Sequence, residues 1–145
     1  MKGFHLCDTG CVASEWIDRN GHMNVTAYMT LFDKGTNTLL ERCGIGVPNS
    51  DLTIVAARIM IDHRREFKEG ERWELWCGIV SVFPTYLTLT YRLRSAKSIH
   101  AVCDIRGTPF SMKDRSSTYF PEKNLIKLSQ HIIPGLVDRF ITNVK

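Results

Sequence analysis

The chain has 145 residues, which is typical of one domain, and we expect a single domain over residues 1–145. Its 43% hydrophobic and 23% charged residues exclude an intrinsically disordered chain, and no apolar run is long enough to predict a transmembrane helix, so no membrane partner is expected. The formal net charge of +4 is mild and without a block of basic residues, which fits a small anionic ligand at least as well as nucleic acid, and no nucleic-acid partner is predicted.

The first half of the chain predicts a strand, a turn and a long helix. The strand covers Phe4–Ile17, and the segment Asp18–Gly21 is a turn, because Asp and Asn side chains bond their own backbone and Gly adopts positive φ. Asn24 is a suitable N-cap for a helix over Val25–Cys43, whose apolar residues recur at i+3 and i+4. Gly44 then marks the helix end.

The second half predicts four strands and a helix. The strands cover Leu52–Phe67, Trp73–Val82, Thr85–Ser95 and Ile99–Ile105, and their short connections favour an antiparallel meander. An amphipathic C-terminal helix follows over Ile133–Val144, which we expect to pack on the domain surface. The central helix, about 28 Å long, would just cross a five-stranded sheet about 24 Å wide. An α+β fold with the sheet wrapped around that helix buries both apolar faces.

The cysteines indicate a reducing compartment. Their number, five, is odd, and the N-terminus lacks the basic flank and apolar core of a signal peptide. On one strand Cys7 and Cys11 would lie about 13 Å apart, too far for a disulfide. The spacing of His5, Cys7 and Cys11 matches no standard zinc pattern. We expect a cytoplasmic protein with free, mostly buried thiols and no metal.

The segment Trp16–Tyr28 resembles the hotdog-fold acyl-CoA thioesterases, in the branch around 4-hydroxybenzoyl-CoA thioesterase. The Asp, Gly and Tyr of that branch's catalytic loop correspond to Asp18, Gly21 and Tyr28. The alternating Asp, Asn, His and Asn of residues 18–24 are also similar to plant acyl-carrier-protein thioesterases. The run Trp-Ile-Asp-x-Asn-Gly-His-Met-Asn is similar to betainyl-CoA thioesterases of carnitine breakdown. The resemblance covers about 30 residues well and extends weakly through the strands, and the tail from Phe120 matches nothing.

The resemblance implies a hotdog fold and hydrolysis of an acyl-CoA thioester without a cofactor. Asp18 would act as nucleophile or general base, and backbone N–H groups near Asn24 and Val25 would stabilise the oxyanion. His22 would belong to the catalytic group, and Tyr28 and Gly21 would contact the substrate. Each residue also has a structural interpretation: a turn for Asp18, a local hydrogen bond for His22, an N-cap for Asn24 and core packing for Tyr28.

Two adjacent arginines, Arg64 and Arg65, are further candidates for substrate binding. Arg64 and Arg65 are interpreted as binding the phosphates of coenzyme A, or as a solvated strand end. The strand Leu52–Phe67 is too apolar to lie unpaired at the edge of the sheet, and the family joins two sheets edge to edge. We therefore expect a homodimer or a dimer of dimers.

Two other functions stay open. Hotdog hydratases and dehydratases usually place Asp and His five apart near a Pro, whereas Asp18 and His22 are four apart with no Pro near. A non-catalytic acyl-thioester binding module would not need the carboxylate of Asp18. A short acyl group is favoured, and a cationic one would need an aromatic cage, for which the candidates are Trp16, Trp73, Trp76, Tyr86 and Tyr91.

Overall fold

The computed structural model describes residues 1–142. The strands are β1 (His5–Cys11), β2 (Leu52–His63), β3 (Arg72–Phe83), β4 (Tyr86–Arg94), β5 (Ile99–Ser111) and β6 (Ser116–Ser117). The helices are a 3-10 helix (Ser14–Trp16), α1 (Val25–Glu41), α2 (Glu122–Ser129) and α3 (Arg139–Thr142). One antiparallel sheet has the strand order β1-β3-β4-β5-β2, and β6 pairs with the end of β5. Within residues 1–142, none of the helices has the length and hydropathy that crossing a membrane requires.

The long helix packs on one face of the sheet, which confirms the predicted α+β arrangement. Phe32, Gly35 and Leu39 form part of its buried seam. A Cβ at Gly35 would lie 2.7 Å from the Leu75 side chain and 2.9 Å from the sulfur of Cys77. Glycine at this position therefore lets α1 approach β3 closely.

Both ends of α1 follow the predicted signals. The Asn24 side chain accepts hydrogen bonds from the backbone N–H groups of Thr26 and Ala27, at 3.0 and 3.3 Å. The helix ends at Glu41, two residues before the predicted Cys43. Gly44 has a φ of +74° and donates its N–H to the Glu41 carbonyl, so the stop signal acts slightly earlier than predicted.

The predicted first strand, Phe4–Ile17, is too long. Pairing with β3 ends at Cys11, and the N–H of Val12 donates to Glu71, just before β3 begins. The chain then turns into the 3-10 helix, where the N–H of Ile17 donates to the Ser14 carbonyl. Because β3 begins at Arg72, opposite Cys11, no residue of β3 lies opposite residues 13–17.

The predicted four-stranded meander is wrong in one respect. Only β3, β4 and β5 form it, because β2 pairs with β5 at the sheet edge and β1 takes the place beside β3. Strand β2 ends at His63 rather than Phe67, since the N–H groups of Arg64 and Arg65 both turn to the His100 carbonyl. The connection 64–71 therefore crosses the strand ends and reaches the start of α1, where the N–H of Met23 donates to Phe67.

The C-terminal region also differs from the prediction. The predicted helix over Ile133–Val144 is replaced, within the described residues, by an extended segment and the short α3, and Val144 lies outside those residues. The N–H of Ile133 donates to the Ile79 carbonyl at 2.8 Å, and Gly135 after Pro134 has a φ of +83°, which ends any helix there. Helix α2 was not predicted.

This C-terminal segment covers the outer face of the sheet. Thr88 and Thr90 lie on the face of β4 opposite the row Leu87, Leu89, Tyr91 and Leu93, and both are almost completely buried. The carboxylate of Asp138 accepts hydrogen bonds from the hydroxyls of Ser81 and Thr88, and Asp104 accepts one from Thr90. On the outer face of the sheet, Thr88 and Thr90 are therefore hydrogen-bonded to carboxylates and not exposed to solvent.

Candidate active site

The turn before α1 holds Asp18 in place. Its Oδ1 atom accepts a hydrogen bond from the N–H of Asn20 at 2.8 Å, and its carbonyl accepts one from Gly21 at 3.0 Å. Gly21 has a φ of +81°, a conformation that glycine adopts without strain. Among residues 1–142 the structure gives Oδ2 of Asp18 no hydrogen-bond partner. The structural role predicted for Asp18 is present, and one carboxylate oxygen stays available.

A cavity of about 480 Å³ opens between this turn, the start of α1 and the end of β2. It brings together seven of the eight predicted site residues, while Gly21 is not part of its wall. The walls also contain Met23, His63 and Glu66. The lining residues are Asp18, His22, Met23, Asn24, Val25, Tyr28, His63, Arg64, Arg65 and Glu66.

The first residue of α1 presents an unused backbone donor at this cavity. The side chain of Asn24 accepts from Thr26 and Ala27. In the described part of the chain the N–H of Val25 has no partner. Val25 is 56% exposed and lines the cavity. Because a helix N-terminus carries partial positive charge, this N–H suits a developing oxyanion.

Tyr28 packs in the core and also lines the cavity. It is 3% exposed, and its ring meets the His63 ring edge to face, with centroids 4.7 Å apart at 90°. Burial raises the pKa of the Tyr28 phenol, and a hydrogen bond with the Phe67 backbone lowers it in part. The phenol therefore stays neutral at physiological pH.

His22 faces an acidic partner across the cavity. Its Nε2 atom lies 3.9 Å from Oε2 of Glu66, and Oε1 of Glu66 lies 3.7 Å from Nζ of Lys68. These side chains are well exposed, so the pairs contribute little stability. The sequence reasoning missed Glu66 and His63, although both flank Arg64 and Arg65 in one polar run at the strand end.

A second groove, of about 460 Å³, adjoins the cavity and shares Arg65 and Glu66 with it. It adds Lys68 and, from the β4–β5 turn, Lys97, so three cations lie along it, together with the carboxylates of Glu66 and Glu71. We call it the basic groove. Its lining residues are Arg65, Glu66, Lys68, Glu71, Ser95, Lys97, Ser98 and His100.

The five aromatic candidates for a cation cage do not meet at the cavity. Trp16 packs against Trp73, with centroids 6.4 Å apart, and Tyr91 is fully buried with its hydroxyl bonded to α1. Trp76 donates to a glutamate on its own strand, and Tyr86 lies against an arginine of β5. None of them lines the cavity. Tyr28 and His63 supply its aromatic rings.

Metal ligands are not clustered here. Across residues 1–142, no three His, Cys, Asp or Glu side chains are grouped to hold a metal ion. All five cysteines are free thiols. Cys43, Cys77 and Cys103 are buried, which agrees with the prediction of mostly buried thiols.

The family description "Thioesterase-like superfamily" matches residues 12–128 of this chain. The chain belongs to this superfamily. The matched residues include the Asp18 turn, α1 and the whole cavity. Membership supports thioester hydrolysis as the general activity. Comparison with curated proteins gives no significant match.

Several solved structures resemble this chain over 86–98% of its length. A Staphylococcus aureus protein in complex with CoA has a TM-score of 0.81 at 19% identity, covering 98% of this chain and 94% of its own. A predicted thioesterase from Bacillus stearothermophilus has a TM-score of 0.76 at 17% identity, covering 87% of this chain and 95% of its own. A 1,4-dihydroxy-2-naphthoyl-CoA thioesterase from Synechocystis has a TM-score of 0.72 at 13% identity, covering 86% and 95%. At such identities the likeness establishes the fold, and the predicted hotdog fold is confirmed.

Proposed function

We propose that this protein hydrolyses acyl-CoA thioesters at the cavity in front of α1. One observation carries the proposal: a free carboxylate oxygen of Asp18 and the unpartnered N–H of Val25 belong to the same cavity. Hydrolysis of a thioester requires a base or nucleophile, which Asp18 would supply, and an oxyanion donor, which the N–H of Val25 would supply.

The proposed reaction begins with the thioester carbonyl oxygen against the N–H of Val25. Asp18 then either attacks the carbonyl carbon, giving an anhydride that water cleaves, or takes a proton from a water that attacks. In both routes the carbon–sulfur bond breaks and coenzyme A leaves as the thiolate. His22, held near Glu66, orients the substrate at the cavity mouth.

Coenzyme A is the proposed carrier. Arg64 and Arg65 at the cavity, with Lys68 and Lys97 along the basic groove, offer cations to its phosphates. The Staphylococcus aureus protein of similar fold binds CoA, which supports this choice.

A short acyl group is proposed, because the buried Tyr28 ring and the His63 ring that packs against it both line the cavity and take up space there. The signature around Asp18 suggests betainyl-CoA. The absence of the five candidate aromatics from the cavity wall means that any recognition of a cation would involve Tyr28 and His63.

Dimerisation through β2 is also proposed. On the described chain, β2 is the last strand of the sheet and pairs on one side only. Val55 and Ile59 of β2 are 46% and 45% exposed. An apolar strand edge of this kind favours pairing with a second copy.

The test is the release of free coenzyme A thiol from a panel of short acyl-CoAs by the purified protein. The panel includes betainyl-CoA and its uncharged isostere, 3,3-dimethylbutyryl-CoA. Thiol release supports the proposal. Faster hydrolysis of betainyl-CoA than of 3,3-dimethylbutyryl-CoA would show that the site recognises the positive charge. Hydration of an enoyl-CoA without thiol release, or binding without turnover, would contradict it.

A further inference from the structure

His100 occupies a β-bulge near the start of β5. Against β4 the register pairs Arg94 with Ile99 and Leu93 with Ala101, so His100 is the extra residue between the two pairs. It also lies just beyond the ladder with β2, whose last pair includes Ala101. A bulge changes the direction of its extra residue, and the backbone carbonyl and the ring of His100 both make contacts outside the sheet ladders.

His100 holds the connection after β2 in three ways. Its carbonyl accepts hydrogen bonds from the N–H groups of Arg64 and Arg65, at 2.8 and 3.1 Å. Its Nδ1 atom lies 2.9 Å from the Glu66 carbonyl oxygen, and because a carbonyl only accepts, Nδ1 carries a proton and donates. Its ring stacks on the Phe67 ring, with centroids 3.7 Å apart. His100 is 5% exposed and Phe67 is fully buried, so these contacts are shielded from water.

These contacts fix one wall of the cavity. The three residues that His100 hydrogen-bonds all line the cavity, and two of them also line the basic groove. The next residue, Phe67, accepts through its carbonyl the N–H of Met23 at 2.8 Å. Met23 comes two residues before Val25, whose N–H is the proposed oxyanion donor. A shift of the connection would therefore be passed on to the start of α1.

The other ring nitrogen of His100 contacts the β4–β5 turn. With the proton on Nδ1, Nε2 of a neutral ring is an acceptor, and Oγ of Ser95 lies 3.0 Å from it. The same Ser95 oxygen accepts the N–H of Lys97 at 3.4 Å, and the Ser95 N–H donates to the Ser98 carbonyl at 2.9 Å. Lys97 is one of the cations of the basic groove. One buried ring therefore joins the turn that carries Lys97 to the connection that lines the cavity.

We propose that His100 is a positioning residue for thioester hydrolysis at this site, an inference that rests on the proposed function. The bond from Nδ1 holds the connection 64–71 and with it the start of α1. It acts on the chemical step, because a misplacement of about 1 Å slows a reaction by up to about a hundredfold. The bond at Nε2 acts on the binding of the coenzyme A phosphates, because it determines where Lys97 lies.

Two substitutions separate the ring nitrogens. The amide of asparagine lies close to the position of Nδ1, and the amide of glutamine lies close to that of Nε2. His100→Asn should raise KM several-fold for an acyl-CoA with little change in kcat, and should leave KM unchanged for the acyl-pantetheine, which lacks the nucleotide phosphates. His100→Gln should lower kcat about tenfold or more for both substrates. The reverse pattern, or equal effects of the two variants, would overturn the proposal.

Ser95→Ala tests the Nε2 contact from the other side. It removes the hydroxyl that bonds Nε2 and leaves the buried ring and its stacking partner in place. We expect it to reproduce the kinetic pattern of His100→Asn. A fall in kcat for the acyl-pantetheine in Ser95→Ala would contradict the separate roles of the two nitrogens.

Amide hydrogen exchange, followed by NMR, gives a readout that needs no turnover. The N–H groups of Arg64 and Arg65 bond the His100 backbone, which every variant keeps, so faster exchange reports movement of the connection. Exchange at these two amides and at Met23 should be faster in His100→Gln and unchanged in His100→Asn. Equal exchange in the two variants would contradict the role of His100. Absence of thiol release from every acyl-CoA by the unsubstituted protein would instead contradict the proposed function.

Asn124→Ala is the matched control for lost stability. Asn124 is also 5% exposed, and its side chain donates to a backbone carbonyl, that of Cys43, at 3.0 Å. This contact lies beyond the C-terminal end of α1 and outside the cavity and the basic groove. We expect a lower melting temperature with kcat and KM unchanged. The same kinetic changes in Asn124→Ala as in the His100 variants would show that lost stability, and not positioning, causes them.

Discussion

Asn24 starts α1 without using the backbone N–H of its neighbour Val25. Its side chain accepts from Thr26 and Ala27, the second and third residues of the helix, as N-cap residues do. The first helical N–H has no intrahelical acceptor, so on the described chain it stays free at the cavity wall. The same cap that stabilises the helix therefore leaves a donor available for chemistry.

Removal of that donor is possible without disturbing the helix. Proline is well tolerated at the first helical position, and Asn24 already has the extended ψ of 162° that a residue before proline prefers. We expect Val25→Pro to lower kcat about a hundredfold or more, as loss of one oxyanion donor does, with the melting temperature nearly unchanged. Val25→Ala, which keeps the N–H, is the control. Equal turnover by the two variants would remove Val25 from the mechanism.

Asp18→Asn separates the two roles of this side chain. The amide oxygen still accepts the hydrogen bond from the N–H of Asn20, so the turn is preserved. The basic oxygen is lost, and we expect thiol release to fall at least about a hundredfold. Asp8→Asn is matched, because Asp8 accepts a similar bond from Thr9 outside the cavity. Turnover near that of the unsubstituted protein would show that Asp18 acts only as a structural residue of the turn.

The basic groove predicts how the carrier is recognised. Arg65→Ala and Lys97→Ala should each raise KM for an acyl-CoA several-fold with little change in kcat, and the effect should shrink as salt screens the charges. The corresponding acyl-pantetheine lacks the nucleotide phosphates and should be unaffected. Lys34→Ala, on the exposed face of α1, is the control. An equal rise in KM for both thioesters would show that the groove does not contact the phosphates.

The edge of β2 predicts the assembly. Sedimentation should give about twice the chain mass of 16.6 kDa, or four times for a dimer of dimers. The double variant Val55→Lys with Ile59→Lys should shift the protein to monomer, because lysines protect strand edges from pairing. Val137→Lys, at a residue that is 64% exposed outside β2, should leave the assembly unchanged. A stable monomer before any substitution would contradict the prediction.

Asp138 predicts the response of stability to acid. Burial tends to raise its pKa, but hydrogen bonds from Thr88, Ser81 and the Phe140 N–H, together with Arg106, lower the pKa overall. A carboxylate with a lowered pKa stabilises the fold above its unfolded pKa, and that stability is lost as pH falls through the folded value. We expect the free energy of unfolding to fall below about pH 4.

Urea unfolding between acidic and neutral pH tests whether Asp138 is responsible for this loss of stability. Asp138→Asn should be less stable at neutral pH and should lose less stability on acidification than the unsubstituted protein. Asp114→Asn changes an exposed carboxylate outside this cluster and serves as control. Parallel acid curves for the two variants would contradict the assignment.

Local chemistry allowed much of the candidate site to be predicted. The Asp18–Gly21 turn, the Asn24 cap and the start of α1 depend on hydrogen bonds between residues a few positions apart, which composition and spacing encode directly. Within β4, Leu87, Leu89, Tyr91 and Leu93 alternate along the sequence and share one buried face, because side chains alternate along any strand. These features need no knowledge of distant partners.

The tertiary structure decided what depends on distant partners. Pairing of β2 with β5 sends the connection 64–71 across the strand ends and brings His63 and Glu66 to the cavity. The Ile133–Ile79 pairing extends a tail whose apolar spacing suggested a helix. Strand neighbours and registers are chosen by burial summed over the whole sheet, so a local pattern that fits several pairings does not identify the one that forms.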